Sequence, residues 1–269
     1  DTDWQDLMFG PALMQNYALS VKGGGKYSTY YNSVGYTNQD GVMKGTNYQR
    51  YTLQSKQDFK KGIFQAGTNV VLTYDQSNPL YSVIRGGMVG HTLQAIPTWE
   101  QYDENRTGGY GGLYGDVVNL THPLGMVDDN LMKRYSDNVK IFANAYVSVE
   151  LMKGLKYKLN LTPDFQFYRY NSYEGLFDFG LAKHDITAVT EQQTRTRNIL
   201  VENLLTFDRT FGDHKVSALV GYTYQDSRYR YMQGSGQGMP TGITEIDAAS
   251  QGLAVSGNSS RSVLTSILG

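Results

Sequence analysis

No cysteine occurs in the 269 residues, which removes disulfides, thiolate metal sites and a cysteine nucleophile together. No stretch approaches the roughly 18 apolar residues that a transmembrane helix requires, so a helical membrane protein is excluded. A transmembrane β-barrel is not excluded, because its lipid face takes only every second residue and barely registers in mean hydropathy. A basic excess is also missing: 24 Lys and Arg stand against 25 Asp and Glu, so nucleic acid is not an expected partner. The 4 histidines (His91, His122, His184, His214) are scattered without an H-x-x-x-H pair, and no G-x-S-x-G elbow exists. Asp128-Asp129-Asn130 lacks the spacing and distal Glu of an EF-hand loop and reads as a solvated turn. No catalytic residue, metal or cofactor is therefore expected. Asp1 carries neither an initiator Met nor a signal peptide, so the chain reads as a mature, processed or excised piece.

What is present is tyrosine, 22 residues, and glycine, 30, the materials of strands and turns. Strict alternation is clearest from Lys140 to Leu151, where Ile141, Ala143, Ala145, Val147, Val149 and Leu151 share one face. It resumes at Leu155, Tyr157, Leu159 and Leu161, and again at Val216, Ala218, Val220, Tyr222 and Tyr224. The segment 195–211 is ambiguous, because Leu200 and Leu204 fall out of phase with Ile199, Val201, Leu205 and Phe207. About nine strands are predicted, at 16–22, 27–37, 48–59, 63–75, 139–151, 155–168, 195–211, 214–231 and 257–269. Their connections alternate between tiny (23–26, 60–62, 152–154, 212–213) and long (38–47, 76–138, 169–194, 232–256). Short turns at one end and long loops at the other are the habit of an outer-membrane barrel, with the turns periplasmic and the loops extracellular. The fold expected is all-β, an antiparallel transmembrane barrel segment spanning residues 1–269. A soluble carbohydrate-binding or adhesive β-sandwich, or a passive porin-like barrel, is the rival.

Lys22-Gly-Gly-Gly-Lys26 fails as a phosphate loop, since the P-loop glycine and Ser/Thr positions hold Ser20 and Tyr27 and a strand follows. It reads as a hairpin tip in which glycine supplies positive φ. The 76–138 loop is too long to be idle. Trp99, Tyr102, Tyr110 and Tyr114, with Asp103 and Arg106 among them, suit contact with a sugar, a peptide or a partner, the rings covering apolar faces and the polar groups fixing orientation. The competing reading is that these rings only pack the loop upon itself.

Asp1-Thr-Asp-Trp-Gln-Asp6, followed by Met14-Gln-Asn-Tyr-Ala-Leu-Ser-Val21, resembles the opening motifs of the SusC-like TonB-dependent transporters of Bacteroidetes. Tyr30 to Val42, Tyr48-Gln-Arg-Tyr51, His122-Pro-Leu124, Glu202-Asn-Leu-Leu205, Phe211-Gly-Asp213 and Gly221-Tyr222 extend the likeness in order. The resemblance implies a barrel of about 22 strands with an N-terminal plug. It implies import of an oligosaccharide or peptide across the bacterial outer membrane, with a SusD-like surface lipoprotein at the mouth and TonB acting through the plug. Plug and remaining strands would lie outside this chain, which is expected to be a piece of a larger polypeptide set in outer-membrane lipid.

Overall fold

The computed structural model describes residues 1–80, 87–112, 120–180 and 182–269. A short helix α1 (Trp4–Met8) leads into β1 (Met14–Gly24), β2 (Ser28–Asp40), β3 (Asn47–Lys61) and β4 (Phe64–Ser77). After α2 (Gly87–Gln94) come β5 (Met132–Met152), β6 (Leu155–Glu174), the two-residue strands β7 (Phe177–Asp178) and β8 (Lys183–His184), β9 (Ala188–Phe211), β10 (His214–Gln237) and β11 (Gln251–Leu268). Nine strands form one antiparallel sheet in the order β1-β2-β3-β4-β5-β6-β9-β10-β11, while β7 and β8 pair separately. Every long strand thus pairs with its neighbour in the chain, the meander of a barrel wall. No second sheet packs on it among the described residues, which removes the sandwich reading. No helix among them is long and apolar enough to cross a membrane.

The two faces differ in chemistry. One carries paired rows such as Leu19–Val34–Leu53–Leu72–Ile141–Phe165, and nothing among the described residues covers them: Leu19 is 73% exposed and Val220 57%. The next row toward the long loops is Tyr17–Tyr36–Tyr51–Tyr74, with successive ring centroids 6.4, 4.9 and 6.3 Å apart. Phe59 and Phe64 stand on the same face beside the tight turns. Tyr74 and Phe64 are ten residues apart on β4, about 33 Å along the strand and about 25 Å in height at a 40° tilt, the height of an apolar band between two aromatic girdles. This face meets lipid.

The other face is hydrogen-bonded and polar. Asn144 Nδ2 donates to Asn160 Oδ1 at 2.8 Å, Asn160 Nδ2 to Glu202 Oε2 at 2.7 Å, and Tyr146 hydroxyl to Asp58 at 2.9 Å. Leu200 and Leu204 lie on this face, so β9 is continuous and its two leucines are a lumenal exception.

Two expectations need correction. The strands run further than the alternation did: β9 and β10 reach 24 residues each, and the long loops contract to 41–46, 78–131, 175–187 and 238–250. Backbone pairing continues above the band, where neither face has to be apolar. At Gly23-Gly-Gly25, moreover, none of the three glycines has positive φ, unlike Gly62, Gly154 and Gly212 in the other tight turns. Gly23 instead lies under its cross-strand partner Tyr30, whose hydroxyl oxygen would stand 2.6 Å from an added Cβ. The glycine serves close approach of a ring there, not backbone handedness.

Candidate functional site

The main packed core lies at the loop end of the sheet. Trp4 and Met8 of α1, Met43 of the β2–β3 loop, Met88 of α2, and Trp99, Leu120, Leu124 and Met126 form one buried cluster with Met132, Phe177 and Phe179. Why α1 forms is legible locally: the Asp3 carboxylate accepts from the backbone N–H groups of Gln5 and Asp6, both at 3.0 Å, and caps the helix. Trp4 then drops into the long loop. Its indole N–H donates to the Ile96 carbonyl at 2.9 Å, and its ring meets Trp99 and His122 edge-on at 6.5 and 5.0 Å. Thr2 fastens the same turn through its N–H to Pro97 and its hydroxyl to the Trp99 carbonyl. Asp1–Asp6 and His122–Leu124, more than a hundred residues apart, are two sides of one core.

His122 is fully buried and joined at both nitrogens. Its Nδ1 accepts the Gly125 N–H at 3.2 Å, so Nε2 carries the hydrogen and donates it to the Glu100 carbonyl at 3.2 Å. Burial holds its pKa down to about 4, against a smaller opposing pull from the Glu100 carbonyl. His91, also buried, is lowered for the same reason, and its Nδ1 accepts the Thr121 N–H at 3.2 Å.

The sequence-predicted contact residues divide sharply. Trp99 is 5% exposed and belongs to the core. Tyr110 is half-buried; its hydroxyl donates to Asp128 at 2.8 Å, and burial followed by that carboxylate pushes its phenol pKa up. Tyr102 is 60% exposed and leans on Tyr110, the centroids 5.5 Å apart. Arg106 reaches Asp103 and, across the loop, Asp178 of β7, both at 3.2 Å. Asp178 is further bound by Lys183 at 2.9 Å and by the Gly180 N–H, and these partners, Lys183 foremost, keep its carboxyl below the usual range. Tyr102, Asp103, Arg106 and Tyr110 therefore form one assembly tied to β7. Tyr114 lies outside the described residues. Asp128 accepts from the backbone and side-chain nitrogens of Asn130, consistent with a turn, and no group of metal-ligating side chains gathers among the described residues.

Of the glycines around Tyr110, Gly108 and Gly109 take positive φ, 91° and 76°, whereas Gly111 and Gly112 are there for space. A Cβ on Gly111 would stand 2.0 Å from the Glu100 carbonyl oxygen, the same oxygen that holds His122. Gly111→Ala should displace that carbonyl and cost roughly 1–3 kcal/mol of loop stability. Faster amide exchange in 87–112 with unchanged exchange in β9 and β10 is the expected pattern.

Sequence reasoning missed Trp4 as an anchor and α1 as a helix. An Asp three residues before an acidic residue, Asp3-x-x-Asp6, was the available signal.

No family model matches the chain. TonB-dependent receptor P3 of Formosa agariphila is 30% identical over 238 residues, covering 84% of this chain and 23% of the relative. TonB-dependent receptor SusC of Bacteroides thetaiotaomicron is 26% identical over 153 residues, covering 56% of this chain and 15% of the relative. The solved RagAB peptide importer in its closed-closed state superposes with a TM-score of 0.82 at 17% identity, over 99% of this chain and 30% of that one. The chain belongs to the SusC-like TonB-dependent receptors. It is a stretch of their outer-membrane β-barrel, and it spans about a quarter of the length of curated relatives it matches, 23% and 26% for two of them. Within the SusC-like wall the lipid face and the polar face are the two sides of one sheet, and the packed loop core lies at its long-loop end.

Proposed function

We propose that the protein carrying this chain imports an oligosaccharide or peptide across the outer membrane by a TonB-dependent route, with a SusD-like surface lipoprotein over the barrel mouth. TonB would act through a plug segment outside this chain. The 78–131 loop faces the outside, and its Tyr102–Asp103–Arg106–Tyr110 assembly touches the substrate or the lipoprotein. The observation that carries this reading is Tyr102: a 60% exposed aromatic ring held in place by a packed, ion-paired base, so that little ordering entropy remains to be lost on contact. The relatives named as TonB-dependent receptors, and the likeness in fold to the RagAB peptide importer, favour it over a passive porin and over an enzyme.

Tyr102→Ala in the intact transporter tests it. Uptake of its substrate or capture of the lipoprotein should fall about tenfold, the scale of one aromatic anchor, while loop amide exchange stays as in the parent. Unchanged uptake together with unchanged capture rejects Tyr102 as a contact. Trp99→Ala is unsuited to this question, because it removes a core ring.

A further inference from the structure

Above the apolar band, the lipid face of β9, β10 and β11 turns abruptly basic. Following the cross-strand register, the row that holds Tyr17, Tyr36, Tyr51 and Tyr74 on the first four strands continues through Val139 and Phe167 to Arg195 and Arg230. The leucine row below it continues through Ile141 and Phe165 to Arg197, Arg228 and Arg261. Strand tilt accounts for the change, since a row of directly paired residues climbs relative to the membrane plane as it passes from strand to strand. On the lipid face of β10 the unbroken apolar run ends at Tyr222 and Tyr224, with Met232 the one large apolar side chain above it. Arg228 is four residues beyond Tyr224, about 13 Å along the strand and about 10 Å in height, which is headgroup level rather than hydrocarbon.

Asp226 organises the cluster. Its carboxylate, 8% exposed, takes Arg261 at 3.0 and 3.2 Å, Arg228 at 3.3 Å and Arg197 at 3.4 Å. One carboxylate cannot neutralise three guanidinium groups, and Arg195 and Arg230 add two more exposed charges one row higher. The acids nearest on this face do little to offset them. Asp137 is engaged by Arg169 at 2.8 Å, and Glu191 stands two rows above Arg195. Between Arg195, Arg230 and Arg169 runs a groove of roughly 320 Å³ floored by Val139, Phe167 and Met232, with the Arg195 guanidinium 5.6 Å from the Phe167 ring centroid. Cations held apart above an apolar floor, directly over a lipid-facing aromatic belt, match a phosphate joined to an acyl-bearing headgroup.

We propose that Arg195, Arg197, Arg228, Arg230 and Arg261 form a binding site for the phosphate of an anionic membrane-lipid headgroup, pre-arranged by Asp226. Planar guanidinium groups offer paired N–H donors to phosphate oxygens, and positive charge at a membrane surface attracts anionic lipid. The proposal needs only that this face meets lipid; it is independent of what the barrel transports.

The test uses the intact transporter in phosphatidylcholine nanodiscs doped with bisphosphorylated lipid A or with dephosphorylated lipid A, the bound lipid being counted by native mass spectrometry. Arg195→Gln/Arg230→Gln spares every Asp226 contact and should fold as the parent. It should retain the phosphorylated lipid about thirtyfold more weakly and leave the dephosphorylated lipid unchanged, as expected for two surface cations at about 1 kcal/mol each. A second variant, R197Q/R228Q/R261Q with D226N, removes two net positive charges and should weaken the preference by a similar factor without leaving a carboxylate unpaired. Equal retention of both lipids by the parent, or no loss in the double variant, overturns the site. Displacement of the lipid by millimolar inorganic phosphate alone would assign the arginines to free phosphate and overturn the lipid assignment.

Discussion

Replacing Trp4 by Ala is expected to release the outer-loop core while leaving the barrel wall intact. Truncating a buried Trp costs about 3–5 kcal/mol, and here the Ile96 carbonyl also loses its indole donor. The loss should be local. α1, the 41–46 loop and the 78–131 loop lean on one another through Trp4, Met8, Met43 and Trp99, with the Lys44 N–H bonded to the Met8 carbonyl at 2.9 Å. The strands are held by their own ladders. Amide exchange in 87–112 and 120–131 should therefore accelerate by two to three orders of magnitude, as ~3–4 kcal/mol dictates when opening is local, with β5 to β10 unaffected. Trp4→Phe keeps most of the packing and loses one hydrogen bond, so about 1 kcal/mol is expected. Uniform acceleration through strands and loops alike would show that α1 supports the whole sheet, contrary to this account. Unchanged exchange in the loop would show that Trp4 is no anchor. Because Tyr102 is mounted on the same core through Tyr110 and His122, Trp4→Ala should also weaken any contact the loop makes, though Trp4 itself is 3% exposed.

How far the sequence could be read depended on whether a residue's partner was local. Ile141 to Leu151 alternate because lipid on one side and water on the other impose a period of two, so strands, turns and faces were legible wherever the band lies. Above the band that pressure stops. Met132 to Asn138 and Ala188 to Thr194 pair as strands with no apolar alternation to announce them, so in the sequence both look like loop. The contact residues suffered from a different blindness. Composition marks Trp99 and Tyr102 alike as loop aromatics, and only the arrival of Trp4 and His122 from elsewhere in the chain buries one and leaves the other exposed. The arginine cluster was invisible for the same reason: Arg197, Arg228 and Arg261 are unremarkable singly and meet only through the register of three strands.

Acidification should open the same loop core, with the sign set by His122. Its folded pKa of about 4 lies below the ordinary 6.5, so the folded loop favours neutral imidazole. That preference is fully present above pH 6.5 and is lost progressively as pH falls toward 4, amounting at most to about 3 kcal/mol across that window. Geometry gives the same answer: protonating Nδ1 would turn the acceptor of the Gly125 N–H into a second donor facing it. His91 contributes with the same sign through its bond from Thr121, while Asp178, held below the usual carboxylate range by Lys183, Gly180 and Arg106, weakens only at still lower pH. Amide exchange of 87–112 and 120–131, followed from pH 7.5 to 4 after correction for intrinsic exchange chemistry, should show protection falling below pH 6.5. His122→Gln keeps one donor and one acceptor but does not titrate, so it should flatten most of that slope and leave a smaller remainder from His91. A slope unchanged in His122→Gln would place the acid response elsewhere. A loop that loosens on acidification presents Tyr102 from a less ordered base, so capture by the loop should weaken over the same interval, from pH 6.5 downward, with the lipid-facing wall indifferent to it.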